Sequence, residues 1–138
     1  MANKDKENIV ELYKQSVSAF NNHDIEGFIN FYAEDYADHS NKLSRDELKQ
    51  YIDGVMKSFP DIKWTLEDIL VEGNKVAIRY RRKGTHQGEF MGIAPTGKTI
   101  DINGILIARF EGGLIAEDWE VWDMYSFLKQ LGLKEFPG

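Results

Sequence analysis

The hydrophobic pattern of this chain changes period once, near Pro60, and that change decides most of what it can fold into. Ile9, Leu12, Tyr13, Val17 and Phe20 recur three and four residues apart, which predicts an amphipathic helix from about Asp5 to Asn21. Asn21-Asn22-His23-Asp24 reads as a turn, with Asp24 the N-cap of a short second helix carrying Phe28, Ile29, Phe31 and Tyr32. Tyr36 to His39 reads as a short strand. Ser44 opens a third helix, Glu47 occupies the capping-box position, and Leu48, Tyr51, Ile52, Val55 and Met56 form an apolar stripe that Pro60 ends.

After Pro60 the chain reads as long extended runs. Ile62 to Val71 is followed by Gly73-Asn74, which is good hairpin chemistry. Val76, Ile78 and Tyr80 then alternate with polar residues. Gly84 to Gly97 holds four glycines and Pro95 and predicts a long connection. Ile100 to Phe110 and Leu114 to Trp122 are strands joined by a turn at Glu111-Gly112-Gly113, and Tyr125 to Leu131 predicts a closing helix ended by Gly132. Helices first and a strand meander after them indicate an α+β class. The expected form is a cone-shaped barrel: a curved, mainly antiparallel sheet with the N-terminal helices enclosing a pocket. No repeat or linker interrupts residues 1–138, so one domain is expected.

Composition narrows the function. A net charge of −6 argues against a nucleic-acid surface, and the basic cluster Arg79, Arg81, Arg82 and Lys83 is too short to reverse that. There is no cysteine, which removes thiolate catalysis and Cys-ligated metals. Met1 to Glu7 is polar, no run approaches the ~20 apolar residues of a membrane span, and cytoplasmic residence is the default expectation. Aromatic residues, at 12%, suit a thick core or an apolar cavity for a small hydrophobic molecule.

Gly92 to Thr99 matches the phosphate-loop pattern G-x-x-x-x-G-K-T. That chemistry needs a helix starting at the Lys-Thr. Here Ile100, Asp101, Ile102 and Asn103 alternate like a strand, so the match is read as a turn feeding a strand.

On strict alternation, Ile115, Glu117, Trp119, Val121 and Asp123 share one face of the last strand. An apolar surrounding for Asp123 would raise its pKa and suit it to acid/base work. Spacing alone favours a plainer role, the N-cap of the closing helix. His39 and His86 lack metal-site spacing and could each line a pocket as hydrogen-bond donors. Asp101, Arg109 and Asp123 around one water would suit hydrolysis, while a solvated or ion-paired surface is the alternative for Asp101 and Arg109. Tyr13, Phe20, Phe31, Tyr32, Trp64, Phe90 and Trp119 are candidates to line a cavity, or simply to fill the core.

Two longer segments carry a resemblance. Gly84-Thr85-His86-Gln87-Gly88-Glu89-Phe90-Met91-Gly92-Ile93-Ala94-Pro95-Thr96-Gly97-Lys98 resembles the G-T-H-x-G-x-F-x-G-x-x-P-T-G-[KR] segment of the SnoaL-like ester (polyketide) cyclases. Gly113 to Trp119 followed by Asp123 resembles that family's G-x-I-x-E-x-W-x-x-x-D ending, and Gln130-Leu131-Gly132 its closing Q-L-G. The resemblance implies the nuclear transport factor 2-like fold and cofactor-free, metal-free ring closure by intramolecular aldol condensation. It also implies a homodimer or homotetramer, for which the convex sheet face would serve. It makes Asp123 the acid/base, reversing the preference for a cap. His39 and His86 become candidates to orient substrate or hold an enolate oxygen, with Trp119 and Phe90 shaping the pocket. A non-catalytic small-molecule binding protein and an epoxide-hydrolase-like or isomerase-like enzyme stay open on the same scaffold.

Overall fold

The computed structural model describes residues 2–137, and the side chains of residues 8–137. The side chains of Met1 to Glu7, read above as a polar start, lie outside that range. The elements run α1 (Ala2–Asn21), α2 (Ile25–Ile29), β1 (Tyr32–Asp38), β2 (Leu43–Ser44), α3 (Arg45–Ser58), β3 (Lys63–Glu72), β4 (Lys75–Thr85), β5 (Thr99–Glu111), β6 (Leu114–Trp122) and α4 (Met124–Gln130). Local chemistry sets the helix starts. Asp24 accepts from Gly27 N, and Ser44 with Glu47 forms a complete capping box. Phe31 and Tyr32 fall outside the short helix predicted for them: α2 stops at Ile29, and β1 already begins at Tyr32.

The six strands form one sheet in the order β2-β1-β6-β5-β4-β3. β1 runs parallel to β6 and the other pairings are antiparallel. The expected barrel is therefore corrected to an open, mixed sheet: β2 and β3 are its two edges, and no ladder joins them. Closure requires the outermost strands to meet in register. Here β2 has only two residues. On the other edge, helix α1 answers part of the free backbone of β3. Asn21 Nδ2 donates to Trp64 O and Trp64 N donates to Asn21 Oδ1, both at 2.8 Å.

Between helices and sheet lies an aromatic core. Phe20, Phe28, Tyr13 and Tyr80 all meet Trp64 edge-on, with ring centroids 5.4 to 6.4 Å apart. Helix α4 closes the far end. Its Gln130 bonds both backbone groups of Asp101, accepting from N at 2.7 Å and donating to O at 2.9 Å.

One irregularity sets the chemistry of the interior. Between β5 and β6, Arg109 pairs with Glu117 but Phe110 pairs with Ile115, so Ala116 is an extra residue, a β-bulge. Ile115 and Ala116 are both buried. Beyond the bulge Asp118, Glu120 and Trp122 turn inward, while Trp119 and Val121 are exposed.

Candidate functional site

The residues singled out from the sequence separate into three places. Asp123 sits at the N-terminus of α4, exposed. Its Oδ1 accepts from Ser126 N at 2.9 Å and its Oδ2 from Ser126 Oγ at 2.6 Å. These two Ser126 donors hold its carboxyl below the ordinary value, the reverse of the rise expected from an apolar setting.

His39, Trp119 and Arg109 gather on the outer face of the sheet. His39 stacks on Trp119 with centroids 5.1 Å apart, and its Nε2 lies 2.7 Å from Glu117 Oε1. Arg109 Nε donates to Glu117 Oε2 at 2.5 Å and its Nη1 to Glu111 at 3.1 Å. Asp101 is ion-paired with Arg81. Asp101, Arg109 and Asp123 thus each have separate partners, and the water-holding triad considered above is not assembled.

His86 is fully buried beneath the Gly-rich connection. Its ring stacks on Phe59, and its Nδ1 accepts from Thr96 N at 3.2 Å. That bond leaves the ring proton on Nε2, and burial pushes the imidazole below its ordinary pKa. The phosphate-loop look-alike contains no helix: Thr99 opens β5. Phe31 is half-buried at the rim of the core, its carbonyl accepting from Ile115 N at 2.8 Å.

Tyr13, Phe20, Tyr32, Trp64 and Phe90 are the sequence candidates that lie on the inner side, together with residues the sequence did not flag. The interior holds two adjoining chambers that share Tyr51 and Arg82 in their walls. The first, a cavity of about 30 Å³, is lined by Tyr36, Trp64, Arg82, Asp118 and Glu120 among others. The second, about 40 Å³, is mostly apolar, and Phe59, Phe90, Trp122 and Phe127 form much of its wall. Each has room for a water-sized molecule.

The first chamber is electrostatically unusual. Asp118 is 5% exposed, and Tyr36 Oη donates to its Oδ1 at 2.7 Å. Burial is the main cause that pushes its carboxyl up to about 8. Neighbouring Asp38 and Glu120 add to this, while the Tyr36 bond and Arg82 oppose it. Asp38, also buried, is occupied by its own turn, accepting from Ser40 N, Asn41 N and Asn41 Nδ2 at 2.9 to 3.0 Å. Glu120 accepts from Tyr80 Oη and pairs with Arg82 Nη2 at 3.1 Å. Gly104 makes the first of these contacts possible, because a Cβ there would collide with Tyr80 Oη. The Arg82 guanidinium lies 4.6 Å and 4.5 Å from the ring centroids of Trp64 and Tyr80. Burial works against its charge, but Glu120 and the surrounding tyrosines outweigh this and its pKa is raised.

Asp118 and Glu120 were missed because strict alternation put them opposite Asp123. The arrangement offers one neutral carboxyl that exchanges its proton near neutral pH, one paired carboxylate and one buried cation, inside aromatic walls. Among the described residues no group of three His, Asp or Glu is placed to hold a metal ion, and no helix is long and apolar enough to cross a membrane.

Comparison with known proteins places the fold. A search of curated proteins gives no significant match. AclR of Streptomyces galilaeus, described as "a putative hydroxylase", is 32% identical with a TM-score of 0.84, over 92% of this chain and 97% of that one. IdmH of Streptomyces antibioticus, described as "a putative polyketide cyclase", is 28% identical with a TM-score of 0.79, over 91% and 99%. TsrD of Streptomyces laurentii, at 24% identity and a TM-score of 0.85, shares the fold. The family model for SnoaL-like polyketide cyclases matches residues 10–131, and the chain belongs to that family.

Proposed function

We propose that this chain is a cofactor-independent acid/base enzyme acting on an enolisable carbonyl compound of small, apolar or aromatic character, with Asp118 as the proton shuttle. The observation that carries this reading is the buried carboxyl of Asp118, poised near pH 8 in an aromatic chamber. A general acid/base works best when its pKa lies near the working pH. The carboxylate form takes a proton from carbon next to a carbonyl. The same carboxyl returns it to carbon or to the alkoxide of an aldol step, so no net proton is consumed. In this reading Asp123 caps α4, His86 anchors the Gly-rich connection, and His39 and Trp119 belong to the outer face. Trp64 and Phe90 remain walls of the site.

The chambers are too small for a ring system as they stand. Phe90 projects from the connection between β4 and β5, and movement of that connection would open the apolar chamber. Two relatives on one scaffold carry different chemical descriptions, so the fold by itself does not fix the reaction.

The test is deuterium exchange at the central carbon of acetylacetone in heavy water, followed by NMR. Wild type accelerates exchange and Asp118→Asn does not. Equal exchange by both proteins would sink the reading.

A further inference from the structure

Among the described residues the buried side-chain polar atoms without a partner are Tyr13 Oη, Trp64 Nε1, Arg82 Nε and His86 Nε2. All four are hydrogen-bond donors, and three of them belong to one neighbourhood. Trp64 and Arg82 line the polar chamber. Tyr13 packs edge-on against Trp64 with centroids 6.0 Å apart, and burial, with Tyr32, Asp118 and Glu120 nearby, keeps its phenol protonated. Leaving a buried donor unpaired costs the full desolvation of that group, so such groups are rare. Here two of them belong to side chains of one cavity wall, Trp64 and Arg82, and Tyr13 packs against that wall through Trp64.

Acceptors are not lacking nearby, but they are occupied. Asp38 serves its own turn, Asp118 receives Tyr36, and Glu120 receives Tyr80 and Arg82 Nη2. The Glu120 pairing uses Nη2 of a guanidinium that lies over the Trp64 ring and leaves Nε without a partner. Two unpartnered donors on residues of one chamber wall, one of them charged, are what a site for a planar oxyanion requires.

We propose that Trp64 Nε1 and Arg82 Nε form an oxyanion-binding site that receives the charged oxygen of a ligand. The chemical class is a resonance-stabilised planar oxyanion: an enolate, a phenolate or a carboxylate. Arg82 also lines the second chamber, so the oxygen sits at the junction and an apolar arm extends toward Phe90 and Phe127. The neutral state of Asp118 leaves Glu120 as the carboxylate nearest the guanidinium, which lowers the repulsion an incoming anion meets. The inference deepens the proton-shuttle reading by giving the enolate oxygen a place, but the anion site stands on its own donors and is measured separately.

Formate is the probe, because it is planar, anionic and small enough for the polar chamber. The indole N–H resonance of Trp64, identified by its loss in Trp64→Phe, is followed during titration with sodium formate against sodium chloride at matched ionic strength. The expected result is a saturable shift of that resonance with formate alone. Arg82→Lys, which keeps the charge and removes Nε, should weaken formate about tenfold or more, the scale of one hydrogen bond to a charged group. If formate moves the Trp64 resonance no further than chloride does, the site is overturned. A shift that persists unchanged in Arg82→Lys overturns the role of Nε. Formate bound by a wild-type protein that does not exchange acetylacetone protons would keep this site and remove the proton shuttle. Exchange without formate binding would do the opposite.

Discussion

Tyr36 on β1 donates its hydroxyl to Asp118 on β6 at 2.7 Å, across the parallel pairing that joins the early and late parts of the chain. The bond stabilises the carboxylate, yet burial dominates and Asp118 still holds its proton to about pH 8. The site therefore depends on two segments that are 82 residues apart in sequence.

The first consequence concerns stability. The folded pKa of Asp118 lies above its ordinary value of 3.8, so between those values the native state holds a proton the unfolded chain has released. The corresponding stability is fully present below about pH 3.8 and is lost as pH rises through about 8. Asp118→Asn removes this titration. Urea unfolding near pH 9 should find the variant more stable than wild type by ~2 kcal/mol or more, since each tenfold change in a proton-binding equilibrium is worth about 1.4 kcal/mol. The difference should shrink toward acid. An unchanged difference across that range would mean Asp118 titrates normally.

Activity should follow the same group. If the Asp118 carboxylate takes the proton, acetylacetone exchange should rise with pH and level off above about 8. Formate affinity should fall over the same interval, because ionised Asp118 adds a negative charge beside the anion site. Parallel pH profiles of exchange and binding check both slopes.

Asp123 offers a sharp contrast. Asp123→Ala removes two hydrogen bonds at the start of α4 and should lower the folding equilibrium constant about fivefold, the scale of a lost N-cap. Asp123→Asn, which still caps, should be nearly neutral, and both variants should keep exchange. Loss of exchange in a stably folded Asp123→Asn would return the acid/base role to Asp123.

Gly104→Ala tests the inner packing. Its methyl would meet the hydroxyl end of Tyr80, a side chain held by Trp64, Arg82 and Glu120. Overpacking of this kind should destabilise by roughly 1–3 kcal/mol. Exchange should fall as well, since Tyr80 no longer reaches Glu120 undisturbed. Thermal unfolding and the exchange assay measure the two effects.

His86 predicts an acid effect of opposite sense to Asp118. Its folded pKa lies below its ordinary value of 6.5, so the stability it contributes is present above that value and is lost as pH falls through the folded pKa. A protonated Nδ1 no longer accepts from Thr96 N. The protection factor of the Thr96 amide, which corrects for the intrinsic slowing of exchange in acid, should fall on acidification sooner than those of Ile78 or Tyr80 in the middle of the sheet.

Much of this was legible in the sequence because it is local. Asp24, Ser44 with Glu47, and the turns at Gly73-Asn74 and Gly112-Gly113 each announce a boundary through nearest-neighbour chemistry, and each boundary is found. What was not legible is non-local. Tyr32 begins a strand because β6 lies beside it, not because its neighbours favour extension. The openness of the sheet depends on the shortness of β2 and on Asn21 reaching Trp64. Trp64 and Tyr13 were flagged as aromatics, but their value as donors appears only when burial leaves them unpartnered. The resemblance located the family, while the period-two rule placed Trp119 inside and Asp118 outside.

That inversion traces to Ala116. One surplus residue shifts the inward positions of β6 from odd numbers to even ones, so the site is written in residue count as much as in residue type. Deleting Ala116 would leave the pairings Phe110–Ile115 and Arg109–Glu117 in place on either side of it, and Ile115, Asp118 and Glu120 would then share the inner face by plain alternation. A family built on this strand could therefore lose the kink through a single-codon deletion and still keep its ionisable interior, a change that an alignment would score as one gap.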